Sequence, residues 1–286
     1  MKRLILVGAR SFVALPLVQN LQSKNYQITV VSRQPEALAS YEKTGCEVVS
    51  LKELSEKESE GELLVSLMPI WEMARLMPEL KLRGLKKVVV VSSSSVLNKQ
   101  NSSWPSDLAL VERLQGAEKA LQTLCKSKGI TLIILRPTLV FGYGLDKNLS
   151  LIVKNLRRLH IMPLFGQAQG LRQPLHAADL ARAICLALEA EIGNRCLSLG
   201  GATRIPYRDL IKELARAHNI PYIFLPIPKL LLVLGLNVLK LLPKYRFLEL
   251  AMFERMNKDL IVDNSEIESL LGFQAMSLQQ ALERHS

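Results

Sequence analysis

Apolar positions follow two rhythms that alternate through the first half of the chain. Short runs dense in Val, Ile and Leu occupy residues 4–7, 27–32 (QITVVS), 47–51, 63–67 (LLVSL), 87–92 (KVVVVS) and 130–135 (ITLIIL). Their length and composition are those of strands buried on both faces. Between them, apolar residues recur at helical spacing. Phe12, Val13, Leu17, Val18 and Leu21 mark the inner face of a helix after the first run, and further helices are predicted over 35–43, 71–82 and 107–127. Repeated strand–helix alternation predicts an α/β fold, a doubly wound parallel sheet with ligands at the carboxyl ends of its strands. After Pro137 the pattern loosens. Gly142, Gly144, Gly166 and Gly170 punctuate loops, and helices are predicted over 149–159, 178–189, 207–218 and 228–242. The division expected is a dinucleotide-binding part at 1–147 and a smaller C-terminal cap at 148–286, some of whose elements return to the sheet. No Pro/Ser-rich linker separates them, so they are expected to pack as one unit.

Composition narrows the partners. With 49% hydrophobic and 22% charged residues, the 286-residue chain can bury a sizeable core and does not read as disordered. The formal net charge of +11 favours anionic ligands. Lys and Arg are scattered and aromatics make up only 5%, which argues against nucleic acid. Cys46, Cys125, Cys185 and Cys196 show no metal or C-x-x-C spacing and read as small core residues in a reducing compartment, so no metal is expected. Met1-Lys-Arg runs straight into the first strand, which is not the pattern of a signal peptide, and no apolar run reaches the length of a membrane span. A cytoplasmic location follows. The stretch at 228–243, flanked by Lys229, Lys240 and Lys244, is either a buried cap helix, a homodimer contact, or a contact with the inner face of a membrane.

The chemistry is expected at the strand ends. After the first strand the chain reads Gly8-Ala-Arg10-Ser11-Phe12-Val-Ala14, a G-x-x-G-x-x-G spacing in which Ser11 and Ala14 replace the second and third glycines. Such a turn aims backbone N–H groups and a helix N-terminus at a pyrophosphate. The second strand ends in Ser32-Arg33, without the carboxylate that binds ribose hydroxyls in NAD sites. A guanidinium there, with Arg10 in the turn, suits a 2′-phosphate, so NADP is the expected cofactor and NAD the alternative. Met68, Ser92 and Pro137, at the ends of later strands, complete the predicted cofactor contacts with Gly8, Arg10, Ser11, Phe12, Ser32 and Arg33.

Several segments resemble the extended and atypical short-chain dehydrogenase/reductases, in particular the branch of NAD-dependent, nucleoside-diphosphate-sugar epimerases and dehydratases. The resemblance runs through the Rossmann-like turn at Gly8 and the serine-rich Ser92–Leu97. It continues through Arg136-Pro-Thr-Leu-Val-Phe-Gly-Tyr-Gly144, Arg172-Gln-Pro-Leu-His-Ala-Ala-Asp-Leu-Ala181 and Leu271–Phe273. It implies that Arg172 contacts nucleotide-sugar phosphates and that Asn148 is a second substrate contact. By the residues themselves, Asp179 reads as a helix N-terminal charge or cap, His176 as a packed histidine, and Arg136-Pro137 as shaping the crevice.

One departure stands out. The family's Tyr-x-x-x-Lys pair, aligned through Glu118, falls on Leu110 and Leu114, and no Tyr occurs between Tyr41 and Tyr143. A leucine pair cannot transfer protons. Ser93, Ser94, Lys99 and Glu112 are the polar candidates left nearby. The resemblance implies an NAD(P)-dependent epimerase/dehydratase-like protein of cell-envelope polysaccharide metabolism, with a nucleotide sugar as partner. The alternative is a non-catalytic NADP-binding sensor or assembly factor, and a cofactor-free structural subunit is a third reading.

Overall fold

The computed structural model describes residues 2–239 and 250–284. Its centre is a sheet of seven parallel strands: β1 (Lys2–Val7), β2 (Tyr26–Ser32), β3 (Glu47–Ser50), β4 (Leu63–Ser66), β5 (Lys87–Val91), β6 (Thr131–Pro137) and β7 (Arg195–Leu199). Their spatial order is β7-β6-β5-β4-β1-β2-β3. The order reverses between β1 and β4, whose register pairs Val7 with Ser66. Because every strand is parallel, all carboxyl ends fall on one edge, and a reversal there leaves a crevice between the diverging loops.

The six runs read from the sequence are the first six strands. Both faces of these strands are covered, as their near-continuous apolar composition demands. On one face α1 (Ala14–Gln22) and α5 (Ala177–Glu189) pack over Leu6, Val30 and Val65; on the other, α2 (Ile70–Leu76) and α3 (Pro105–Ser127) pack over Ile5, Leu64 and Val90. Two elements beyond residue 147 return to the sheet, β7 and α5. The buried Lys87 ties α5 down by donating to the carbonyls of Leu188 at 3.1 Å and Ala190 at 2.7 Å, which end that helix.

A second, smaller core lies in the C-terminal half, where α4 (Leu149–Leu159) and α6 (Tyr207–Ala217) pack with the short helix Leu278–Glu283 around Phe141, Leu156 and Leu210. Strands Ile161–Phe165 and Ile223–Ile227 pair in parallel beside it. The helix predicted over 228–242 is present as α7 (Lys229–Leu239); residues 240–242 of that prediction, and the flanking Lys240 and Lys244, lie outside the described residues. The helix predicted over 71–82 stops at Leu76, because Pro78 has no N–H to continue the ladder, and a 3₁₀ turn, Met77–Glu79, replaces its end. The third strand ends at Ser50 because that serine caps the helix Leu51–Glu56 in a reciprocal pair with Glu53.

One buried ion pair fastens α3 to the sheet. Glu118 accepts from Ser92 Oγ at 2.6 Å and from Arg136 Nε at 3.0 Å, and Arg136 Nη2 bonds its second oxygen. The Glu118 hydrogen bond, opposed by burial, holds the Arg136 guanidinium above its ordinary pKa. Side-chain exposures of 4% and 18% mean that loss of one partner strands the other away from water. Glu118→Ala is expected to cost about 3–5 kcal/mol, read as a lower urea midpoint, whereas Glu118→Leu combined with Arg136→Met should recover much of that loss.

Candidate cofactor site and catalytic face

A cleft of about 890 Å³ opens at the carboxyl edge, with Gly8, Arg10, Ser32, Arg33 and Met68 in its wall. Five predicted contacts are thus brought together. Gly8 has φ +88°, and a Cβ there would lie 2.6 Å from the Met68 nitrogen and 2.9 Å from the Leu67 carbonyl carbon. Only glycine meets both demands. The turn continues with Ser11 N–H donating to the Gly8 carbonyl at 3.0 Å, and Ser11 Oγ accepting from Val13 N–H at 3.3 Å. Ser11 and Phe12 are half-buried at the entry to α1. The absent second glycine is therefore accommodated: Ser11 uses its hydroxyl to organise the helix start.

Arg10 and Arg33 are both exposed at this cleft, and Arg10 Nη1 donates to Gln34 Oε1 at 2.9 Å, which holds it over the end of β2. Ser32 Oγ accepts from Gln34 N–H at 3.0 Å. Sequence reasoning passed over two supports here. Gln34 is one; Tyr41 is the other, its buried hydroxyl donating to the Ala9 carbonyl at 3.0 Å and so pinning the glycine turn from below. The opposite wall carries Trp71, Glu72 and Arg75 from α2. Arg113 of α3 lies 4.0 Å over the Trp71 ring, which seats α2 on α3.

Ser92 and Pro137 stand at the ends of neighbouring strands but are not in the wall of this cleft. Ser92 is committed to Glu118, and the Pro137 carbonyl accepts from Ser94 N–H at 2.9 Å. Both are joints between β5, β6 and α3. Of the candidate catalytic residues, Ser94 is buried and Ser93 half-buried, with Ser93 Oγ accepting from Ser95 N–H at 3.2 Å. Lys99 corrects the expectation of a proton-transfer group. Its ammonium lies 2.8 Å from Asp107 Oδ1, and that oxygen also receives Arg255 Nη1 at 2.7 Å, while Ser102 Oγ donates to Oδ2 at 3.1 Å. Glu112 is a second correction. It is exposed, two residues past Leu110 and so about 200° around the helix, away from the face that packs on the sheet. Leu114 is 3% exposed and Leu110 packs against the same apolar cluster. Leu114 thus belongs to the core and Leu110 to its margin.

The predicted substrate contacts are also reassigned. Arg172 is buried, and its guanidinium donates to the carbonyls of Leu171 and Lys258 at 2.9 Å each, Gly170 at 3.3 Å and Arg255 at 2.6 Å. It also stands over the Tyr207 ring at 5.1 Å. Burial pulls its pKa below the ordinary value. Bonded to four carbonyls through Nη1 and Nη2, the guanidinium clamps the 255–258 backbone. Asn148 precedes α4 without capping it; Asp146 does so instead, accepting from Asn148 N–H at 2.9 Å and Ser150 N–H at 3.2 Å. His176 packs against Phe141 and Tyr143, and its Nδ1 accepts from Ala178 N–H at 3.2 Å. Asp179 sits in the first turn of α5, as expected, and additionally accepts from Met276 N–H at 2.8 Å. No group of three or more metal-ligating side chains occurs among the described residues.

Gly8→Ala is expected to lower the melting temperature and abolish dinucleotide binding, since both the backbone and the Met68 peptide would have to move. Asp107 supplies a pH test. Burial raises its pKa, but the Lys99 hydrogen bond and charge, Arg255 and Ser102 outweigh burial and leave it lowered. Its contribution to stability is therefore full above the unfolded carboxyl value of about 3.9 and is lost as pH falls through the lower folded value. Asp107→Asn should flatten that acid limb in pH-dependent urea melts.

Residues 70–200 match a family model described as the NAD dependent epimerase/dehydratase family. A UDP-glucose 4-epimerase of Vibrio cholerae is 24% identical over 156 residues, 51% of this chain and 47% of that protein. The match thus spans about half the length of the curated relative. Among solved structures, a UDP-glucose 4-epimerase of Thermotoga maritima, crystallised with UDP-glucose, superposes with a TM-score of 0.70 at 15% identity, covering 99% of this chain and 97% of that one. A UDP-glucuronic acid 4-epimerase of Bacillus cereus, in complex with NAD, gives 0.72 at 16% identity, covering 99% and 95%. Over residues 70–200 the chain is thus similar to the NAD dependent epimerase/dehydratase family, and in fold it is similar to these epimerases.

Proposed function

We propose that the protein binds a nicotinamide dinucleotide in the cleft at Gly8 and a nucleotide sugar beside it, as an epimerase/dehydratase-like protein of cytoplasmic cell-envelope polysaccharide metabolism. The observation that carries this is the backbone cradle. A Cβ at Gly8 would strike the Leu67–Met68 peptide, so the turn must be glycine, and it opens on the cleft that gathers Arg10, Ser32, Arg33 and Met68, where a helix N-terminus suits a pyrophosphate. Gly8, Ser11 and Phe12 would hold the pyrophosphate, and Met68 would line the adenosine end. Arg10, steadied by Gln34, and Arg33 would take a 2′-phosphate, which favours NADP over NAD. The dinucleotide, when bound, supplies the hydride acceptor or donor. The chain's own residues position it, and Ser93 is the polar group of the expected catalytic set that is neither ion-paired, nor buried, nor turned away from the sheet. Contact of the α7 region with a membrane face, or its use in a homodimer, belongs to the same proposal.

The packing of Leu110 and Leu114 in the core favours a second reading, in which the fold binds NADP without turning over a sugar. The two readings share the cofactor and differ in chemistry. NADPH is expected to bind more tightly than NADH, with Arg33→Ala removing most of the difference, roughly ten- to a hundredfold for a charge-assisted contact of about 1.5–3 kcal/mol. Equal affinity in the unaltered protein, by calorimetry, would refute the NADP assignment. On a panel of UDP-hexoses analysed by NMR, turnover is expected to be absent or slower than in family members by about 10²–10⁴-fold, the usual worth of general acid–base help. Brisk turnover would instead show that a group outside the Tyr/Lys positions carries the proton.

A further inference from the structure

The described surface has one region whose apolar character the cleft does not explain. Strands Ile161–Phe165 and Ile223–Ile227 pair with Ile161 opposite Ile223 and Pro163 opposite Leu225. Alternation sends Met162 and Leu164 inward, where they are 8% and 4% exposed. The other face is turned outward: Ile223 is 62% and Leu225 47% exposed. The second strand leads through Pro228 into α7, KLLLVLGLNVL, a helix with no acidic residue and apolar side chains around its circumference. Its described side chains differ in exposure. Leu232 is buried at 6%, whereas Leu230 and Leu234 are 71% and 54% exposed. A helix apolar on all sides is ordinarily buried, and an outward apolar ribbon continuous with one is a contact surface.

Charge decides what it contacts. The two segments that build this surface contain no Asp or Glu at all between Asp146 and Asp179 or between Glu213 and Glu249. Among the described residues they carry Lys147, Lys154, Arg157 and Arg158, and Arg216, which is paired with Glu213 at 2.7 Å. Arg157 and Arg158 are exposed in the last turn of α4, immediately before Leu159 and Ile161, which are 56% and 38% exposed. An apolar face with Arg157 and Arg158 exposed at its edge complements a surface with an anionic rim and an apolar interior, which describes an anionic lipid leaflet. It does not complement itself: a second copy would set cation rim against cation rim. Eleven residues of helix reach about 16 Å, half the hydrocarbon thickness, and no helix among the described residues is long and apolar enough to cross a membrane.

We propose that the ribbon of 161–165 with 223–227, together with α7, docks on the surface of an anionic bilayer, with Arg157 and Arg158 on the headgroups and Ile223, Leu225, Leu230 and Leu234 in the interface. This extends the membrane contact of the functional reading to a defined surface and lipid charge, and is independent of what the cleft binds. The experiment is flotation of the full chain with vesicles of phosphatidylcholine alone or with about one third phosphatidylglycerol. Binding is expected only to the anionic vesicles and should weaken with salt. Arg157→Ala with Arg158→Ala should weaken it about thirtyfold, at about 1 kcal/mol for each basic residue near an anionic surface. Ile223→Glu with Leu225→Glu should abolish it. Far-UV circular dichroism and NADPH binding report separately whether each variant is folded. Failure to float with anionic vesicles, equal binding to both vesicle types, or sedimentation as a dimer that the glutamate variant dissociates would each overturn the proposal.

Discussion

The contact between the Gly8 backbone and the Leu67–Met68 peptide is the constraint on which the rest of the site depends. It exists because β1 and β4 are neighbours in a parallel sheet whose chain order reverses between them. Leu67 N–H donates to the Val7 carbonyl at 2.9 Å, so the pairing runs to the last residue before the turn. The two loops must then part within one residue, and a positive φ at Gly8 is how β1 leaves. Everything else at this edge adapts to that departure. Tyr41 fills the space under the turn, Ser11 orders the first residues of α1, and Arg10 is carried across to Gln34. The loss of the second and third glycines of the spacing is tolerable because neither Ser11 nor Ala14 has a positive φ.

A second constraint lies on the other side of the reversal. The helix α3 is held by Glu118 through Ser92 and Arg136, while Leu114, with Leu110 at its margin, fills the apolar layer beneath. A phenol and an ammonium need solvent or partners at their polar ends, whereas the present cluster of Val90, Val96, Leu114 and Met73 offers neither. An ammonium at position 114 would be a buried charge without a partner, so the substitution is coupled to the packing around it and does not stand as an isolated change at the surface of a cleft.

How far the sequence could be read follows from the same physics. The first six strands were legible because strands covered on both faces are near-continuous apolar runs. The seventh, RCLSL, was not, since Arg195 and Ser198 interrupt it at the sheet edge. Ser50-Leu-Lys-Glu53 spells a capping box and could have been read as the start of a helix; the strand pattern running into it hid the signal. Gly8, Arg10, Ser32, Arg33 and Met68 converge on one cleft because strand-end position alone locates them. Arg172, Lys99 and Asn148 could not be placed that way. Their roles depend on partners brought by tertiary structure: carbonyls at 255 and 258 for Arg172, a carboxylate shared with Arg255 for Lys99, and an aspartate two residues earlier for the helix that Asn148 was expected to open. A motif reports that an arginine is present and is silent on whether its donors are already taken.

Those same partners join the two halves of the molecule through one short segment. Arg255 gives its side chain to Asp107, at the start of α3, and its carbonyl to Arg172. Trp104 donates to Glu254 at 3.0 Å, and Asn257 bridges the Phe165 carbonyl and the Ala168 N–H at 2.8 and 2.9 Å. Residues 254–257 therefore touch the helix that walls the crevice, the clamp at Arg172 and the strand that forms the apolar ribbon. The contacts of Arg255 and Trp104 are half-buried, so each is costly to break singly, whereas the Asn257 bridge is exposed. A displacement of the ribbon relative to the sheet must pass through Arg255 and Asp107. The C-terminal core, apolar in its interior, is thus joined to the start of α3 by charged and hydrogen-bonded contacts, which are directional where apolar packing is not.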